Sequence, residues 1–229
     1  MMLVDSENVA SWVAGRSSAA RATSEARAEV ERLLTQTEDL LMVGAFRCEW
    51  TELMVWIPRE LNKAADKLAG AAREERRTRR WMSAKIGQKC NAAMLCYSDA
   101  SAAQDDGWAG LGSIGVSKQT GQLLWAIQEA VELGGRPPDI NALEAQAAAT
   151  SLHMVAVVAW GTWKPMQHGW QRTGGAFTDA EKRTIMKLAR GSTCATAAVA
   201  SLGPAGTPGR TRKRARREEE PSRTVQRGH

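Results

Sequence analysis

Four acidic residues stand where a chain can deliver carboxylates to a common point. Asp5 closes the short apolar run 1–4, and Asp99 closes a second one, 93–98. Asp66 lies in the helix-like stretch 61–72, and Glu144 lies near the start of the Ala-rich segment 141–158. Carboxylates converging from separate elements are hard oxygen donors, the kind that Mg²⁺ takes while keeping several of its waters. A pair of such ions about 4 Å apart can activate a water on one side of phosphorus and stabilise the leaving oxygen on the other. That is the in-line hydrolysis of a phosphodiester. Asp-Ser at a helix start is also an ordinary cap, so Asp5 has a purely structural reading as well.

The elements that would position these acids can be read from periodicity and turn chemistry. Residues 1–4 form a strand-like run, and 6–15 follow as a short helix with Ser6 as cap and Val9, Trp12 and Val13 on one face. Residues 20–41 repeat Ala26, Val30, Leu33 and Leu34 at helical spacing. Residues 52–57 are β-prone and are closed by Pro58, after which 61–72 return to helix. Segments 108–116 and 121–127 read as a hairpin with Gly121 in its turn, and 134–138 as a loop. Residues 141–158 read as helix, with a β-branched end that also suits a strand. Thr178, Asp179, Ala180 and Glu181 have the form of a helix start leading to Leu188.

Several of these segments resemble ribonuclease H domains of the type 1 and reverse-transcriptase-associated (plant-type) kind. Cys96-Tyr97-Ser98-Asp99-Ala100-Ser101 followed by Gly107-Trp108-Ala109-Gly110-Leu111-Gly112 is similar to the family's first strand and hairpin. Asn141-Ala142-Leu143-Glu144-Ala145 is similar to its first helix, and Leu3-Val4-Asp5-Ser6-Glu7-Asn8-Val9 to its fourth strand. The most specific piece runs from Trp56 through Arg59, Glu60, Asn62, Ala65 and Asp66 to Leu68 and Ala69. It resembles the family stretch H-V-x-R-E-x-N-x-x-A-D-x-L-A, with Trp56 in place of the His.

The resemblance implies an α/β fold, a ribonuclease H-like mixed sheet flanked by helices. It also implies Asp99, Glu144, Asp5 and Asp66 as catalytic and metal-binding residues for two Mg²⁺ ions, or Mn²⁺ in their place. Asp99 would bridge both ions, Asp66 would help hold the ion that activates water, and Asp5 and Glu144 would hold the ion beside the leaving oxygen. The implied substrate is an RNA–DNA hybrid, cut in its RNA strand. Asn8 and Asn62 are implied as donors to the nucleic-acid backbone, and Arg73, Arg76 and Arg77 are expected to add phosphate affinity.

The family order of these acids is Asp99, Glu144, Asp5, Asp66, whereas here the last two come first. Two readings stand: a circular permutation, or a slice across two partial domains that closes its site in cis or through a half-swapped homodimer. Residues 1–72 are then the C-terminal half of the domain and 93–160 its N-terminal half, with 73–92 as a basic linker. Residues 161–202 are partly helical, and 203–229 read as a disordered basic tail.

Composition bounds the rest. The net charge of +6 and a pI near 9.4 point to a polyanionic partner. The excess sits mainly in residues 73–80 and 210–217, and within the second run 212–217 also read as a nuclear-import cluster. Cys48, Cys90, Cys96 and Cys194 form no CxxC pair, which suits a reduced intracellular protein, nuclear or cytoplasmic. The longest apolar run, 154–160, is far short of the roughly 20 residues that span a bilayer, so no membrane partner is expected. The alternative to an enzyme is a catalytically inactive nucleic-acid-binding module or a truncated mobile-element remnant.

Overall fold

The computed structural model describes residues 1–18, 22–42, 54–83, 93–159 and 177–201. The elements in chain order are β1 (Met2–Val4), α1 (Glu7–Val13), α2 (Ser24–Met42), β2 (Met54–Trp56), a 3₁₀ turn (Arg59–Leu61), α3 (Lys63–Glu75), β3 (Arg79–Met82), β4 (Met94–Ala102), β5 (Trp108–Ser117), β6 (Leu123–Glu132), α4 (Ile140–Ala159) and α5 (Asp179–Ser201). They build an α/β architecture, a mixed six-stranded sheet of order β2-β1-β4-β5-β6-β3 with helices on both faces. This is compatible with a ribonuclease H-like fold.

β1 is apolar throughout because it lies inside the sheet, parallel to both β2 and β4, with both faces covered. β4, β5 and β6 form an antiparallel meander. The turn before β6 uses Gly121 at φ +62°, a left-handed conformation that glycine adopts without strain.

One face of the sheet packs against α1, α2 and α4 through Val4, Val9, Leu33, Trp125 and Leu152. The other packs against α3 and α5 through Leu3, Tyr97, Ile114, Leu68 and Ile185. Residues 155–158, whose branched side chains also suited a strand, continue α4. That helix is apolar nearly all round because it is sandwiched between the sheet and its neighbouring helices. On the opposite face α3 lies directly on β5. A Cβ on Gly110 would fall 2.0 Å from the Ala69 carbonyl oxygen, and one on Gly112 would fall 2.1 Å from that of Ala65. The glycines of this strand therefore set how closely the helix carrying Asp66 approaches the strand beside Asp99.

The basic stretch expected as a linker over 73–92 is ordered structure in its first part. α3 runs on to Glu75 and ends on Arg76 in the left-handed conformation, with φ 49°. Residues 79–82 then add an edge strand antiparallel to β6. The charge that suggested a solvated linker is neutralised locally. Arg79 is only 9% exposed and pairs with both Glu75 and Glu181, the latter at 2.6 Å. Met82 from the same strand enters the core. Residues 84–92 lie outside the described residues, as do the basic run 210–217 and the rest of the expected tail. The helix start foreseen at Thr178 is a capping box: the Glu181 carboxylate accepts from the Thr178 amide at 2.7 Å, and the Thr178 hydroxyl accepts from the Glu181 amide at 3.3 Å. No helix among the described residues is long and apolar enough to cross a membrane.

Candidate metal centre

Parallel pairing brings the first two acids together. Val4 is in register with Ser98, so the residues that follow them, Asp5 and Asp99, emerge side by side although 94 positions separate them in sequence. Ser6 caps α1 by accepting from the Val9 amide at 3.4 Å, which turns the chain sharply after Asp5.

Glu144 comes from the opposite direction, on the early part of α4. The start of that helix is held by Asp139, whose Oδ1 accepts from the amides of Asn141 at 2.9 Å and Ala142 at 3.2 Å. The other carboxylate oxygen of Asp139 accepts from the Thr23 hydroxyl, which also caps α2 by accepting from the Ala26 amide. One acid thus ties two helix starts together and sets where Glu144 points.

One carboxylate oxygen from each of Asp5, Asp99 and Glu144 lies within 4.8 Å of the others. Asp99 and Glu144 are buried, at 2% and 8% exposure, and Asp5 is half-buried. Asp99 spends Oδ1 on the Ala100 amide at 2.9 Å. Asp99 Oδ2, Asp5 Oδ1 and Glu144 Oε2 are buried without a hydrogen-bond partner in the protein. Buried acceptors are normally satisfied, and an unpartnered oxygen on each of three acids whose carboxylates come together fits a cation. These three acids lie close enough together to bind a metal.

The electrostatics agree. Burial, followed by the charges of Asp5 and Asp66, pushes the Asp99 carboxyl up to about 8. Burial, followed by the charges of Asp99 and Asp5, raises Glu144 to about 10. Burial raises Asp5 as well, opposed by its backbone hydrogen bond, the Asn62 amide and the Arg59 charge. Like charges crowded out of water hold protons until something positive replaces them.

Asp66, the fourth expected ligand, stands outside this trio. It is near enough for its charge to act on Asp99, yet its Oδ1 is bound by Arg59 at 2.6 Å in a partly exposed ion pair. Arg59 is the participant the acid pattern did not single out: its guanidinium pairs with Asp66 and also feels the charges of Asp99 and Asp5. Its signal in sequence is the Arg-Glu pair of the stretch that carries Asp66.

Asn62, expected at the nucleic-acid backbone, is instead fully buried. Its amide donates to the Ser98 carbonyl at 2.8 Å and so fixes the strand that carries Asp99. Asn8 is exposed and donates to Asn141 at 3.1 Å, and the two line a cleft of about 670 Å³ between α1 and the start of α4. Arg73 and Arg76 share Asp106 at 3.7 and 3.3 Å, and Arg76 also lies over the Trp108 ring. Arg77 is exposed beside them. This basic group is at the far end of α3, roughly 10–15 Å along the helix from Asp66 at 1.5 Å per residue.

No protein-family model, curated protein or solved structure matches this chain.

Proposed function

We propose that this chain is a metal-dependent endonuclease of the ribonuclease H type that hydrolyses the RNA strand of RNA–DNA hybrids, and that its fold is a circular permutation of that family's. The observation that carries the proposal is the meeting, within one chain, of Asp5 from the first part of the sequence with Asp99 and Glu144 from the second. Each brings a buried oxygen without a partner. The placement of β1 and β2 in parallel beside β4 supports the permuted order over a truncated pair of domains, and makes a half-swapped dimer unnecessary for closing the site.

Mg²⁺, or Mn²⁺ in its place, suits an all-oxygen donor set, and when bound there would lower the pKa of water and stabilise the leaving oxygen. The chain's own residues supply the rest. Asn62 and the Asp139 cap hold the strand and helix that present Asp99 and Glu144. Asp66 waits beside the trio, held by Arg59. The cleft lined by Asn8 and Asn141 and the arginines at the end of α3 offer amide and cationic contacts to sugar and phosphate, contacts that read duplex shape and 2′-OH groups rather than base identity.

The test is incubation of the purified chain with an end-labelled RNA–DNA hybrid. Shortening of the RNA strand alone, dependent on Mg²⁺ and abolished in Asp99→Asn, is the expected result. Cleavage that survives Asp99→Asn or a chelator, or no cleavage by the wild type, overturns the proposal. A second reading, a binding module without catalysis, is favoured by the Arg59–Asp66 pair, which occupies the fourth acid, and by Trp56 in place of the His. That reading predicts salt-sensitive binding of the hybrid without product.

A further inference from the structure

Among the described residues two large apolar side chains are left exposed, Trp56 and Ile140, each at 45%. Neither is far from the carboxylate trio. Ile140 opens α4, one helical turn before Glu144, and lines the cleft with Asn8 and Asn141. Trp56 ends β2, in register with Val4, and its indole Nε1 donates to the backbone carbonyl of Asp5 at 3.0 Å. A single exposed aromatic is ordinary on a protein surface, so exposure alone selects no partner; Trp56 is set apart by the position of its hydrogen bond, beside Asp5. Here the ring is also pinned. Its one polar atom is spent on the Asp5 backbone carbonyl, which holds the indole in place while nearly half of the residue stays exposed.

We infer that Trp56 is a stacking platform for the nucleic-acid strand, packing against the sugar and base of the nucleotide next to the phosphate that the three carboxylates address. This rests on the nuclease reading above and names a residue that sets substrate affinity at that site. Three features select a nucleotide as the occupant. A divalent cation held by the neighbouring acids would attract a phosphate, and Trp56, in register with the residue before Asp5, would meet the adjoining sugar or base. The Arg59 guanidinium, three residues on in sequence and largely exposed though paired with Asp66, adds positive charge close by in the chain. The chain's net charge of +6 favours a polyanion over an acidic or neutral protein partner. A ring immobilised before binding also loses little conformational freedom when the nucleotide stacks on it.

The test uses the full chain, a fluorescein-labelled RNA–DNA hybrid and Ca²⁺ in place of Mg²⁺ to hold the site filled during titration. Trp56→Ala is expected to raise the hybrid Kd about five- to a hundred-fold, the range for loss of one aromatic–base stack. Trp56→Phe keeps a ring face but lacks the indole N–H, and is expected to restore binding to within about three-fold of wild type on the same scale. In Mg²⁺ the Trp56→Ala loss should fall on KM rather than kcat, and Mn²⁺ affinity measured calorimetrically without nucleic acid should be retained.

Wild-type affinity in Trp56→Ala overturns the platform and leaves the nuclease reading intact. Equal weakening in both variants, or a matching loss of Mn²⁺ affinity, also overturns it, because the effect would then run through the Asp5 carbonyl. A wild-type chain that neither binds nor cuts the hybrid removes the underlying reading and the platform with it, and is told apart by the silence of the unsubstituted protein.

Discussion

Asp99→Asn is expected to make the metal-free protein more stable while abolishing its chemistry. In the folded chain burial and the charges of Asp5 and Asp66 push the Asp99 carboxyl from 3.8 up to about 8. A carboxyl whose pKa is raised on folding holds its proton in the folded state over a range where the unfolded chain has lost it. Stability therefore falls as pH rises through that window, from about 4 to about 8, and the penalty is absent below it and fully expressed above it. Four units at about 1.4 kcal/mol each set a ceiling of about 6 kcal/mol, of which local relaxation and water entry leave about 2–3 kcal/mol. Asn carries no charge to bury. It keeps the acceptor used by the Ala100 amide, and its new N–H₂ faces carboxylate oxygens that otherwise lack donors. At about 2–4 °C per kcal/mol for a chain of this size, the Tm gain without metal at the alkaline end is about 4–12 °C. The assay is thermal unfolding across the window with and without millimolar Mg²⁺. Wild type should lose Tm as pH rises and recover it with Mg²⁺, whereas Asp99→Asn should show a flatter profile and little response to metal. A metal-free wild type whose Tm holds or climbs across the window, or an Asn variant less stable than wild type at its top, would refute the account of a crowded, uncompensated site.

Three further outcomes follow from the geometry. Gly112→Ala places a Cβ against the Ala65 carbonyl oxygen, a backbone atom that cannot step aside, and should lower urea-unfolding stability by about 1–3 kcal/mol; a neutral result would mean that α3 does not sit so tightly on β5. Arg59→Gln releases Asp66 and removes a cation from the rim, so Mn²⁺ affinity by calorimetry should tighten about two- to five-fold, in keeping with a partly exposed pair worth up to about 1 kcal/mol; weaker binding would show that Arg59 helps to assemble the site. Asp139→Ala removes the acceptor for the Asn141 and Ala142 amides and the Thr23 hydroxyl, and should cost about 1–2 kcal/mol in a thermal or denaturant melt, with Mn²⁺ affinity falling alongside; unaltered metal affinity would separate the cap from the placement of Glu144.

Much of the local structure is legible in the chain because it is carried by neighbours a few residues apart. Ser6 as a cap, the hairpin turning at Gly121, the helix periodicity of residues 24–42 and the Thr178–Glu181 capping box all depend on contacts within one turn or one loop. Asp5, Asp66, Asp99 and Glu144 are legible as candidates too, from their place at element edges and from the motif resemblance, although only Asp5, Asp99 and Glu144 come together. Which acids actually share a point is a matter of register and packing over long separations. Asp5 meets Asp99 because Val4 pairs with Ser98 in parallel, and Asp66 is drawn to Arg59 by an ion pair that residue types alone do not announce. Asn62 looks like a surface donor in the motif, but the approach of α3 to the sheet buries it against the Ser98 carbonyl. Residues 73–83 mislead for the same reason. A run of arginines reads as solvated until the fold supplies Glu75 and Glu181 to Arg79 and the edge of β6 to pair with. Short-range hydrogen bonding and side-chain periodicity are written into neighbouring residues, whereas charge compensation and burial depend on what the folded chain brings alongside.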